Sequence, residues 1–305
     1  MLRKSLQEVT KYNDIEVYVT KPADYPHSPS KLLLLLTGGT GVHSTNNQLQ
    51  ADKFAQEGFL VVMPDQYTSP HHRPNTASNP THRFAGDPAP TTTTSISTQP
   101  TEPNPSLIEQ VKLGVASVAK SFTIDMWLAR HTPEKVLPIL YKVLTSAKEE
   151  FADAVAHGGG VYAAGYCFGA RYVLLLGSET GGAQFTAPAP MASGGPEREA
   201  EEGAVKNGAV IKAGVIAHGT QCSKEEVAAV KVPLGVVAVE DDPLFPDAER
   251  EAGVERLRES GVECEVEVYK GVPHGFAVVG EYEDDAIKEK QGMAFEKMVG
   301  WLKAH

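Results

Sequence analysis

The chain has 305 residues and a formal net charge of −11, with a sequence pI near 5.4; it is long enough for one large core, and its acidic balance gives no field that would recruit nucleic acid or an anionic membrane. The longest purely aliphatic run, Leu32–Leu36, is far too short to span a bilayer, and the N-terminal MLRKSLQEVTKYND lacks the apolar stretch of a secretory signal. Three cysteines form no paired disulfide framework, so a reducing, cytoplasmic setting is expected.

In chain order, Ile15 to Thr20 reads as an edge strand and Leu32 to Leu36 as a central parallel one. The latter runs into Thr37-Gly38-Gly39-Thr40-Gly41. Asn47 to Glu57 reads as a helix and Phe59 to Met63 as the next strand. With Asp65 beyond it, Gly39-Thr40-Gly41 imitates half of a dinucleotide fingerprint, but the third glycine position holds Ser44. No Gly-Lys-Ser/Thr Walker loop is present. From Gln66 to about Ser106 the pattern collapses into proline, threonine, serine and histidine, an insertion that is either disordered or a lid. His71, His72 and His82 fall in it without a scaffold, so no metal site is expected. Leu107 to Lys120 is compatible with a short helix and Pro133 to Ala156 with a longer one.

The most informative stretch is VYAAGYCFGARYVLLL, Val161 to Leu176. An apolar strand, Val161 to Ala164, leads into Gly165-Tyr166-Cys167-Phe168-Gly169, and a helix-compatible run, Ala170 to Leu176, follows. Strand, sharp turn and helix, with a glycine two before and two after the central residue, is the context of a nucleophile elbow. The nucleophile is then a thiol at a helix N-terminus, where the dipole and unpaired N–H groups favour thiolate. The competing reading is a small buried core cysteine. A polar, acidic loop, Gly181 to Gly208, carries Glu197, Glu199, Glu201 and Glu202 and reads as a solvated surface segment. Val232 to Val239 is a buried strand ending in Glu240-Asp241-Asp242-Pro243, followed by a helix to Ser260. Val262 to Tyr269 alternates, with Val262, Cys264, Val266 and Val268 on one face and three glutamates on the other. Cys264 is expected in the core, and Cys222 lies in a polar loop with no evident role. Then comes Gly271-Val272-Pro273-His274-Gly275-Phe276.

Nucleophile, carboxylate and histidine thus stand in the order of α/β-hydrolases, each after a strand. The chemistry demands these types: the histidine takes the thiol proton and returns it to the leaving group, while the carboxylate fixes its tautomer. GYCFGARY, DDPLFP and PHGF, supported by LLLLLTGGTG, NNQLQADKFAQEGFLVVMPD, MWLARHTPEKVLPIL and KAGVIAH, resemble the dienelactone hydrolase family, and within it the fungal branch. The resemblance covers most of residues 30–65 and 121–305. It implies a single α/β-hydrolase domain over 1–305, with a mostly parallel sheet and helices on both faces. By position, Cys167 is the nucleophile, His274 the general base and Asp242 the orienting acid, with Asp241 as the neighbouring alternative. The oxyanion-hole donors are the N–H groups of Phe168 and Gly39. The implied reaction is hydrolysis of a lactone or small activated ester, without a cofactor. Arg171 is a candidate for orienting a polar substrate group or, equally, for a surface salt bridge. Two departures stand out. Many family members carry an acidic residue near Gly38 that controls the resting nucleophile, and an arginine often follows the His-Gly-Phe motif where this chain has Ala277-Val278-Val279-Gly280. These departures motivate an alternative, a repurposed cyclase, isomerase or small-molecule binder.

Overall fold

The structure, a computed structural model, describes residues 6–67, 127–179 and 208–305. The insertion expected from Gln66, apart from Gln66 and Tyr67 themselves, lies outside the described residues. So do the histidines at 71, 72 and 82, the helix expected over Leu107–Lys120, and the acidic loop as far as residue 207. The described strands are β1 (Leu6–Tyr12), β2 (Ile15–Lys21), β3 (Lys31–Leu36), β4 (Phe59–Pro64), β5 (Val161–Tyr166), β6 (Ala213–Ala217), β7 (Leu234–Val239) and β8 (Cys264–Tyr269). They form one sheet in the order β1-β2-β4-β3-β5-β6-β7-β8. β2 pairs antiparallel with β1 and β4, and every other pairing is parallel.

The sheet separates two apolar layers, and β3 shows why. Its five leucines leave no polar face, so both faces must be covered. Leu32, Leu34 and Leu36 join one cluster; Leu33 and Leu35 join the other. The first layer is roofed by α2 (Pro133–Glu150), α3 (Ala152–Gly158), α4 (Phe168–Leu176), α5 (Lys224–Ala228) and α6 (Asp247–Glu259) through residues such as Val136, Leu140, Val173, Val227 and Leu257. The second is roofed by α1 (Thr45–Gln56) and α7 (Asp285–Ala304) through Phe54, Ala294, Met298 and Trp301. Burying each leucine contributes about 1.5–3 kcal/mol as an upper estimate.

Three differences from the sequence reading have plain physical causes. Ile15–Lys21 is flanked on both sides, so the edge is β1, a strand with too few apolar positions to stand out. The turn that makes it is a two-residue loop, Asn13-Asp14, closing the pair Tyr12–Ile15, with Asn13 at φ 58°. The helix expected over Pro133–Ala156 breaks at Phe151, whose φ −114°, ψ 44° leaves the helical region while its ring stays buried. Finally, α7 closes the second layer: Trp301 lies against Gly235, where a Cβ would sit 2.9 Å from its ring, and its Nε1 donates to the Gly214 carbonyl at 3.0 Å.

Candidate active site

All parallel strands point the same way, so the loops after β3, β5, β6, β7 and β8 gather at one sheet edge. At the centre, β5 ends at Tyr166, Cys167 turns at φ 52°, ψ −117°, and α4 starts at Phe168. Positive φ is strained for a residue with a Cβ, and persists only where the surroundings over-determine it. Here the Cys167 N–H donates to the Ala217 carbonyl, and its own carbonyl accepts from Ala170 and Thr220 N–H groups, each at 3.1 Å. The flanking glycines are steric necessities. A Cβ on Gly165 would lie 2.7 Å from the Gly169 carbonyl, and one on Gly169 would overlap the Leu36 carbonyl.

The turn after β7 delivers the carboxylate. Asp241 adopts φ 56° and stays outside the site, with its N–H 3.4 Å from Asp247 Oδ2. Asp242 turns inward and is buried. Its Oδ1 accepts from Leu244 N–H at 3.0 Å, and its Oδ2 lies 2.6 Å from His274 Nδ1. Of the two carboxylates left open by the sequence, Asp242 is thus the one that reaches the histidine. His274 sits in a turn between Gly271 at φ 65° and Gly275 at φ 92°, anchored by the fully buried Phe276 ring against Tyr269. Burial disfavours a charged His274, but the neighbouring Cys167 charge, the Asp242 hydrogen bond and a hydrogen bond to Cys167 outweigh it and raise its pKa to about 10.

Two further residues crowd this centre, neither found from the sequence. Thr220 Oγ1 lies 3.2 Å from Cys167 Sγ and 3.3 Å from His274 Nε2. His218, at φ 36° and fully buried, packs its ring edge-on to His274 with centroids 5.0 Å apart. Burial, then the His274 charge, pushes its pKa well below the usual 6.5. Both follow β6, whose KAGVIAH sequence drew notice only for its resemblance. The available signal was position: a polar residue just beyond the C-terminal end of a parallel strand faces the same edge as the other functional loops. Cys222, expected in a polar loop, is buried as well, and burial pushes its thiol far up.

The loop after β3 completes the edge. Gly38 approaches Cys167 so closely that a Cβ on it would lie 3.2 Å from Cys167 Cβ. Its carbonyl accepts from the Tyr67 hydroxyl and from Gly41 N–H. Gln66 Nε2 donates to the Thr37 carbonyl at 2.7 Å and Asn47 Nδ2 to the Gly41 carbonyl at 2.7 Å, so the glycine-rich loop is pinned from two sides. Tyr67, Trp127, His131, Phe168 and Tyr172 stack into an aromatic wall behind it, with centroid separations from 4.3 to 6.2 Å.

The model of the dienelactone hydrolase family matches residues 15–305, which spans the whole sheet from β2 and every loop of the site. The chain belongs to the dienelactone hydrolase family. Two fungal relatives of this hydrolase are each 26% identical to it. They are the hydrolase pyvD of Aspergillus violaceofuscus, over 97% of this chain and 89% of its own length, and the hydrolase tropI of Talaromyces stipitatus, over 95% and 86%. Among solved structures, a candidate dienelactone hydrolase from Klebsiella pneumoniae matches with a TM-score of 0.60 at 15% identity, covering 99% of this chain and all of that one. Esterase 2 of Thermogutta terrifontis matches at 0.55 and 13%, covering 97% and 92%. The fold is the α/β-hydrolase fold, and no helix among the described residues is long and apolar enough to cross a membrane.

The family departures have concrete counterparts in this hydrolase. Gly38 leaves no side chain, and so no carboxylate, beside Cys167. The positions after the His-Gly-Phe motif are filled by Ala277 and Val278, both buried in the second apolar layer rather than offering a cation. Arg171 is directed elsewhere: its Nε and one terminal nitrogen contact Glu226 Oε1 at 2.8 and 2.7 Å. Glu226 also closes a capping box with Ser223 at the start of α5. The salt bridge weighed against substrate binding at Arg171 is the contact that forms, tying α4 to α5.

Proposed function

We propose that this family member hydrolyses a lactone or small activated ester through Cys167, with His274 and Asp242 completing a triad. The observation that carries the reading is the 2.6 Å Asp242–His274 contact, with the opposite ring nitrogen turned to the nucleophile side at the strained elbow. Asp242 holds the proton on Nδ1, which leaves Nε2 to exchange a proton with sulfur and then with the leaving group. The Cys167 thiolate attacks the carbonyl carbon, and the carbonyl pair moves to oxygen. Phe168 N–H, at the first position of α4, and Gly39 N–H donate hydrogen bonds to that oxyanion. In a trans peptide the N–H points opposite to the preceding carbonyl. The Tyr67 hydroxyl and Gly41 N–H that hold the Gly38 carbonyl therefore turn the Gly39 N–H away from themselves.

Collapse of the tetrahedral intermediate expels an alkoxide or enolate, which takes the Nε2 proton, and leaves a thioester. Water then gives a proton to Nε2 and attacks the thioester; thiolate departs and the carboxylic acid is released. Sulfur is itself a good leaving group, so a substrate with a stable leaving group suits this cycle and a plain amide does not. A panel of lactones and aryl esters tests it. Cys167→Ala and His274→Ala should each lower kcat by roughly 10⁴-fold, and the double variant little further, since triad members act as a unit. A folded Cys167→Ala variant that kept near-wild-type hydrolysis would overturn the mechanism. A Cys167 inert to alkylation would favour a binder instead.

A further inference from the structure

The Thr220 hydroxyl reaches both groups that must exchange a proton, at 3.2 Å from Cys167 Sγ and 3.3 Å from His274 Nε2. It is buried, and its backbone N–H donates separately to the Cys167 carbonyl at 3.1 Å. A hydroxyl has one proton and two lone pairs, so it can donate once and accept from elsewhere at the same time. A protonated His274 has only a donor at Nε2, and a thiolate only accepts. One hydroxyl orientation fits both: Thr220 donates to sulfur and turns a lone pair to the Nε2–H, which it shares with the sulfur.

We propose that Thr220 is a catalytic residue of this site, whose hydroxyl donates to the Cys167 sulfur and holds the nucleophile in its charged, attacking form before substrate arrives. The role rests on the reading of Cys167 as nucleophile and adds a second determinant of its charge. Gly38 is central to it. An acidic neighbour there would repel a second negative charge, whereas a hydroxyl donor favours it. This chain has no side chain at Gly38 and a donor at Thr220, so both features act in the same direction.

The ionisable groups around the sulfur are consistent with one charged partner. His274 faces it from the turn after β8, with Asp242 behind the ring from the turn after β7. Tyr67 comes from the loop after β4, and burial holds its phenol protonated; Cys222, from the loop after β6, is held as a thiol in the same way. His218, also after β6, is kept neutral by burial. Among the described residues, the sulfur therefore meets one cation, His274, and one neutral donor placed to bond it, Thr220.

The test is the rate of iodoacetamide alkylation of Cys167 against pH, resolved from Cys222 and Cys264 by mass spectrometry, in wild type, Thr220→Val and Thr220→Ser. Valine keeps the shape and the backbone N–H but removes the donor. A hydrogen bond to a charged acceptor lost in this way should move the acid limb of the profile up by about one pH unit, a roughly tenfold slower reaction below it. Serine should restore the wild-type limb, which a packing role for the methyl group would not. Hydrolysis should follow, with kcat/KM falling most at low pH. An unmoved limb in Thr220→Val, with Cys167 still fast in wild type, overturns the role of Thr220 alone. A slow wild-type Cys167 overturns the nucleophile reading beneath it. If Thr220→Val does not fold, Thr220→Ala, which removes the same donor, carries the comparison with serine.

Discussion

Asp241 and Asp242 are adjacent carboxylates in a turn, yet a positive φ at Asp241 sends its side chain outward while Asp242 turns to His274. Asp242→Asn should lower kcat by roughly 10⁴-fold, because an amide cannot hold the same tautomer. Asp241→Asn should leave turnover within a factor of about two, and asparagine tolerates its left-handed backbone well. Steady-state kinetics on both variants, with circular dichroism for the fold, checks the assignment; the opposite ranking would move it by one residue.

Elements matter through what their backbones forbid. The elbow exists because α4 packs onto β3 and β5 with no room for a Cβ at Gly169 or Gly165. Gly169→Ala should therefore cost about 3 kcal/mol or more, since the obstruction is the Leu36 carbonyl and not a side chain that can move aside. Gly292 and Gly300, both exposed in α7 with nothing near a would-be Cβ, should behave oppositely. Replacing either with alanine should stabilise by about 0.5–1 kcal/mol through helix propensity. Urea melts of the three variants measure the contrast, and a neutral Gly169→Ala would mean that the elbow packs more loosely than described.

At the scale of the whole molecule, the buried His218 and the part-buried His274 set opposite pH limits on stability. His274 has its pKa raised to about 10. The stability it contributes is fully present below the ordinary value near 6.5 and is lost as pH rises through about 10. His218 has its pKa depressed, so its contribution is present above about 6.5 and is lost as pH falls toward the folded value. The melting temperature should peak near neutrality and decline on both sides. Cys167→Ser, which removes the largest influence raising His274, should flatten the alkaline decline, and His218→Phe should flatten the acid one. Differential scanning calorimetry from pH 5 to 10 distinguishes them; a variant that flattens the wrong limb refutes its assignment.

The sequence by itself determined the parallel core strands, the elbow with Cys167, and the order cysteine, carboxylate, histidine along the chain. Those features are local: five leucines in a row, two glycines around a cysteine, a His-Gly-Phe turn after an alternating strand. What it left open depends on where loops from distant strands meet. Only the folded sheet places Asp242 rather than Asp241 against His274, pairs Arg171 with Glu226, and buries Cys222. The same holds for β1, whose polar residues become a strand only because β2 offers a free edge. Thr220 is 53 residues from Cys167 and 54 from His274 along the chain. Its hydroxyl meets both because β6 lies between β5 and β7 in the sheet; its place just past a strand end marks the edge it faces, but only the strand order decides its neighbours.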